Sequence, residues 1–164
     1  MKTQGKPSTK KVVKKSDSTK IKRLTKELTR EDQKLRMPLL DAAVAGAILG
    51  FRPSDTEMRR QAEIAWETIK PQLSQHLLSE DETLLPWAEG SKSLSVAVVD
   101  RIKVKHHELR LLVRKLTDVS FEEDADDFVA PAGRALCMLA MKLDDLIDSE
   151  ERRLLPALRK VLFA

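Results

Sequence analysis

The sequence predicts an all-α protein: an antiparallel up-down-up-down four-helix bundle with a short C-terminal helical extension and a disordered, basic N-terminal tail. Three observations carry this. First, the chain of 164 residues is 41% hydrophobic and 34% charged, with five Gly and no Tyr, a mix that favours helix over sheet. Second, apolar residues recur at alternating steps of three and four through four long stretches. Third, the sequence echoes itself. HLLSEDETLLPW (His76 to Trp87) returns as LIDSEERRLLPA (Leu146 to Ala157), and DQKLR (Asp32 to Arg36) corresponds to HHELR (His106 to Arg110). Two helix pairs of one layout suggest a duplicated helical hairpin, and long helices with short connections pack antiparallel.

The first 20 residues are rich in lysine and poor in apolar side chains, the signature of a disordered segment. Residues 1–30 hold eleven Lys/Arg against two acids, whereas residues 31–164 hold 19 against 24, so the high pI belongs to the tail. A solubilising tail is one reading; loose contact with nucleic acid or another acidic partner through residues 1–20 is the other. No aromatics interleave these lysines to stack bases. The bundle is expected to occupy residues 21–164.

Helix one is expected from about Thr19 to Leu49, with an inward seam of Leu28, Asp32, Leu35, Leu39, Ala42, Gly46 and Leu49. The pattern continues past Pro38, which predicts a kink rather than an end. Gly50 and Pro53 punctuate the chain. Ser54 and Glu57 form a capping-box pattern for helix two, whose seam is Trp66, Ile69, Leu73, His76, Glu80 and Leu84, with Pro71 inside and Pro86 and Gly90 at its end. Helix three is expected to start in SKSLS, with Val99, Ile102, His106, Leu109, Val113 and Leu116 inward. An acidic turn, FEEDADD, follows. Helix four is expected to start shortly before Pro131, a residue best tolerated in a first turn. Its seam is Ala132, Leu136, Leu139, Leu143, Leu146 and Glu150, and ALRKVLF forms the short extension.

These seams are apolar except at Asp32, His76, Glu80, His106 and Glu150. His76 and Glu80, four apart, share a helix face, and an up-down bundle brings all five to one half of the core. Buried carboxylates cost several kcal/mol each, on the order of a strong interaction, unless compensated. A divalent metal is the obvious compensation, since inward Glu and His build two-metal sites inside bundles, and mixed imidazole and carboxylate donors suit iron, manganese or zinc. The bland alternative is a hydrogen-bonded His–carboxylate network with no metal.

With these residues the chain resembles hemerythrin-like domains of the HHE cation-binding type over roughly residues 24–160. That family's layout is a His on helix one, H-x-x-x-E on helix two, a His on helix three and H-x-x-x-E on helix four, and DETLLP and EERRLLP resemble its helix-ending turns. The resemblance implies a non-haem iron site, one ion or two, that binds O2, senses iron or oxygen, or handles NO or peroxide. His76, Glu80, His106 and Glu150 fall on family ligand positions. Asp32 stands where helix one usually has His, and Leu146 where helix four has His. Asp145, turned about 100° from that position, is a weak substitute, His107 lies off the seam, and Glu151 need not be a ligand. Short of two imidazoles, the site is not expected to carry oxygen efficiently. The competing expectation is a metal-free bundle acting as an interaction or regulatory protein.

Other chemistry finds little support. No phosphate loop, C-x-x-C or nucleophile elbow is present. Cys137 reads as a buried inert thiol and Met138 and Met141 as core or boundary filler. With one cysteine, no apolar run of roughly 20 residues and no apolar stretch after the basic start, the expectation is a cytoplasmic protein without a membrane span.

Overall fold

The computed structural model describes residues 15–90 and 95–163. The expected tail therefore lies largely outside the described residues, as does most of SKSLS. Among the described residues the chain is helical with short connections and no strand. Helix α1 spans Lys15–Leu49, α2 Thr56–Ser79, α3 Leu85–Gly90, α4 Val96–Leu116, α5 Asp126–Ser149 and α6 Leu155–Phe163. The four long helices are α1, α2, α4 and α5, and α6 is the expected C-terminal extension. No helix among the described residues is long and apolar enough to cross a membrane.

Cross-helix contacts set the directions. Asp32 of α1 lies by His76 of α2, and a short connection joins the far ends of these helices. Arg36 reaches Asp144 and Asp148 of α5, while Gly46 abuts Gly133. Along α4 and α5, Lys105 pairs with Asp145 and Glu108 with Lys142. His106 of α4 meets Glu80, and Phe121 beyond its end meets Glu63 of α2. Each neighbouring pair is thus antiparallel, in the expected up-down-up-down order.

The core follows the seams. Leu28, Leu35, Leu39, Trp66, Ile69, Leu73, Ile102, Leu109, Leu136, Leu139 and Leu143 are all buried, each worth about 1.5–3 kcal/mol of transfer free energy. On α4, Leu112 takes the core position expected of Val113, which is half-buried. Cys137 is also only partly buried, because it sits on the flank of α5 where α1 comes closest. Met138 and Met141 are exposed rather than core filler, being off the Leu136–Leu139–Leu143 line.

Several helix ends differ in detail from expectation. Already at Lys15, ahead of Thr19, α1 has begun. The cap of α2 is Asp55, whose carboxylate accepts from the Met58 N–H; Asp55 outcompetes Ser54, and Glu57 instead bonds Arg60 and Gln61. Helix α5 starts at Asp126, so Pro131 sits in its second turn. Both α1 and α2 run on through Pro38 and Pro71. At the loop end of the bundle, Arg59 donates to the carbonyls of Pro53, Phe121 and Asp124 and pairs with Asp126, tying the acidic connection to α2.

The duplication is visible in three dimensions. Helices α2 and α5 are each 24 residues long, and each runs into a five-residue π-helical turn, Glu80–Leu84 and Glu150–Leu154. In the two turns the N–H of Leu85 and of Leu155 bonds the carbonyl of Glu80 and of Glu150, five residues back. Such turns are rare and frequent at functional sites. Both open at the glutamates that interrupt the seams.

Candidate metal centre

All five seam-breaking residues are brought together. Asp32, His76, Glu80, His106 and Glu150 are the buried polar residues of the core, each at most 1% exposed. Asp32 comes from α1, His76 from the last turn of α2, Glu80 and Glu150 from the mouths of the two π turns, and His106 from α4. Glu150 is central. Its carboxylate belongs to two groups, Asp32–His76–Glu150 and Glu80–His106–Glu150, in each of which the ligand atoms lie within 4.8 Å of one another.

Within the first group, His76 Nδ1 is 3.6 Å from Asp32 Oδ1 and His76 Nε2 is 3.5 Å from Glu150 Oε2. Glu80 Oε2 lies 3.8 Å from the same Nε2. These separations exceed ordinary hydrogen bonds, and both carboxylate oxygens of Asp32, both ring nitrogens of His76, Glu80 Oε1 and Glu150 Oε1 are buried without a hydrogen-bond partner. Buried polar atoms are nearly always satisfied, so a run of orphaned donors at one point is unusual. In the second group, His106 Nε2 lies 3.0 Å from Glu80 Oε2.

Electrostatics of the protein groups alone reflect this crowding. Burial pushes the Asp32 carboxyl up to about 6, with His76 opposing. For Glu150, burial and then the Glu80 charge push the carboxyl well above its ordinary range. Burial pulls His76 down, but Glu150, Glu80 and Asp32 around it outweigh that and raise it to about 10. The donors are hard oxygens and imidazoles, held close, dry and short of cationic partners, and that set fits a divalent cation.

Neighbouring acids and imidazole are turned elsewhere. Asp145 is exposed and pairs with Lys105, Glu151 bonds Arg36 and His107 is exposed. Leu146 is fully buried. Asp32 is not solvated, and Arg152 pairs with Asp148 rather than with Glu150.

One contributor escaped the sequence reading. Asp81 accepts from His106 Nδ1 at 2.8 Å and is itself held by Arg110. Burial raises the Asp81 carboxyl, but His106 and Arg110 together win and lower it. An acid on the outer Nδ1 fixes the ring and aims Nε2 at the cluster, the arrangement that orients metal-binding histidines. Because Asp81 follows Glu80 directly, its sequence signal was hidden among the acids of SEDE.

Comparison with known proteins agrees with this picture. Neither curated proteins nor solved structures give a significant match to the chain. The family description that does match is the hemerythrin HHE cation binding domain, over residues 23–158, which takes in most of α1, the other three long helices, both π turns and the five clustered residues. The chain is therefore a member of the hemerythrin HHE cation-binding domain family.

Proposed function

We propose that Asp32, His76, Glu80, His106 and Glu150 bind metal at two adjoining positions, with Glu150 shared between them, and that the protein binds or senses O2, NO, peroxide or iron rather than carrying oxygen. The observation that carries this is the set of fully buried donors arranged as two triads around one carboxylate, with orphaned atoms on Asp32, His76, Glu80 and Glu150. Iron is the metal the family favours; manganese and zinc fit the same donors. A bound iron supplies a redox-active Lewis acid able to take a small ligand.

The chain's own residues define what that centre is like. Each triad offers one imidazole and two carboxylates, so the donor set is balanced between the two positions and rich in oxygen. Leu146 adds an apolar wall where the family has its helix-four histidine. With all five residues closed to solvent, only a small ligand has access without the helices parting, which favours binding or sensing over turnover of a large substrate. Asp81 and Arg110 hold His106 from outside. Asp81→Asn is expected to weaken metal binding by about 10–100-fold, as loss of an outer partner does, while helicity is unchanged; an unaltered affinity by titration calorimetry counts against this role.

The decisive experiment is metal content per chain by mass spectrometry, on protein purified without chelators or a histidine tag and then loaded anaerobically with Fe(II). Two ions per chain are expected. A chain that stays empty sinks the proposal and favours the second reading, a metal-free regulatory bundle with a basic tail. One observation favours that reading: His76 stands among three carboxylates whose charge raises it to about 10, which places a cation of the protein's own among them.

A further inference from the structure

Helix α1 carries a second apolar seam on its outward face. Met37, Leu40, Val44 and Ala47 follow one another at steps of three and four, and Phe51 keeps the spacing in the turn just past the end of α1. None is covered by the described residues: Met37 is 67% exposed, Leu40 58%, Val44 47% and Phe51 90%, and Ala47 is exposed as well. The inward seam of the same helix, Leu35, Leu39, Ala42, Gly46 and Leu49, faces the opposite way. A strict three-four stripe is the narrow seam of paired helices, whereas a helix lying on lipid presents a broad apolar face. From Met37 to Ala47 the stripe runs for about 15 Å, and exposed Phe51 extends it past the helix end.

Charge along the same face indicates which partner. Toward the N-terminus the spacing continues through Lys26, Arg30 and Gln33, so the stripe turns from apolar to basic. At the other end, past Phe51 and exposed Arg52, lies the acidic connection between α4 and α5. Arg59 holds its Phe121 and Asp124 carbonyls there, and Glu122, Glu123, Asp126 and Asp127 are exposed. One end of the face is basic and the other adjoins acid, so the surface complements itself only when reversed.

We propose that a second copy of this chain covers this seam, the two α1 helices pairing antiparallel about a two-fold axis near Val44. Val44 then meets its own symmetry mate, Leu40 lies near Ala47 of the second copy, and Met37 near its Phe51. The basic stretch around Arg30 passes the acidic end of the other copy. Parallel pairing would instead set the two basic stretches side by side. An isologous contact of this kind closes on itself as a dimer.

Sedimentation velocity of the full chain from about 1 to about 100 µM tests it, and a dimer is expected within that range. Val44→Glu and Leu40→Glu should each weaken the dimer by at least about tenfold, with unchanged helical circular dichroism because both side chains lie outside the core. Val44→Cys in a Cys137→Ala background should oxidise to a disulfide-linked dimer, whereas Ile64→Cys on the exposed face of α2 should not. A chain that stays monomeric throughout overturns the proposal, as does a dimer indifferent to both glutamate substitutions. Vesicles containing an anionic lipid that bind the monomer, with Val44→Glu abolishing the binding, also overturn it in favour of a membrane surface.

Discussion

Glu150→Gln is expected to remove metal from both positions at once. Glu150 is the one residue common to the two triads, and the amide keeps its shape while discarding the charge that two cations would share. Asp32→Ala and Glu80→Ala, each confined to one triad, are expected to halve the metal content instead. Since losing an outer partner alone costs about 10–100-fold in affinity, losing the shared ligand should cost more than that at each position. Mass spectrometry of the loaded variants gives the stoichiometry and calorimetry with Mn(II) the affinity. Metal-free Glu150→Gln should melt no lower than its parent, because the substitution relieves like charges buried beside Glu80 and Asp32. Full metal content in Glu150→Gln would remove the bridge from the assignment.

The second large effect concerns packing. A Cβ on Gly46 would lie 2.6 Å from the Gly133 carbonyl oxygen and 2.7 Å from the Cys137 nitrogen. Both are backbone atoms of α5, so no side chain can swing aside. Gly133 is constrained reciprocally, with Leu49 Cβ at 2.8 Å and the Gly46 oxygen at 2.9 Å. Gly46→Ala is expected to destabilise by about 1–3 kcal/mol through overpacking, despite alanine's better helix propensity. In a chain of this size that is a fall in Tm of several degrees, at roughly 2–4 °C per kcal/mol. Gly90→Ala is the control: among the described residues beyond its own neighbours no atom lies within 4 Å of its Cβ, and its Tm should not fall. Because α1 carries Asp32 and α5 carries Glu150, Gly46→Ala should also loosen the first triad and weaken metal binding there. A variant as stable as its parent would show that the helices part at little cost.

Most of the bundle and the clustered residues were legible in the sequence because both depend on periodicity. Three-four spacing places a residue inward whatever its chemistry, so Asp32, His76, Glu80, His106 and Glu150 announced themselves by being polar on an apolar line. Hydrophobic periodicity was silent on what depends on a neighbour's position. Asp81 acquires its role only because α4 sets His106 and Arg110 against it. The cap of α2 fell one residue past Ser54, since Ser and Asp in succession both suit that place and backbone geometry chooses between them. Cys137 is small and apolar enough to read as core, but the close approach of α1 at Gly46 leaves it on a flank. The outward stripe on α1 is in the spacing too, masked by the stronger inward seam of the same helix.

The two π turns bear on the angular phase of the chain. A π turn holds one residue more than the α turn it replaces, so every residue beyond it is rotated by about 100° from where an unbroken helix would point. That slip explains how adjacent residues, Leu84 with Leu85 and Leu154 with Leu155, are buried together where a single helical face would take only one of each pair. Deleting one residue from Asp81–Thr83 would leave a continuous α-helix with Leu85 and Ala88 still on the core, whereas closing the turn to α geometry at full length would swing both off it. The two halves of the bundle thus carry the same angular offset at equivalent points, and a full-length chain with one turn closed to α geometry would show a twist between them rather than a gap.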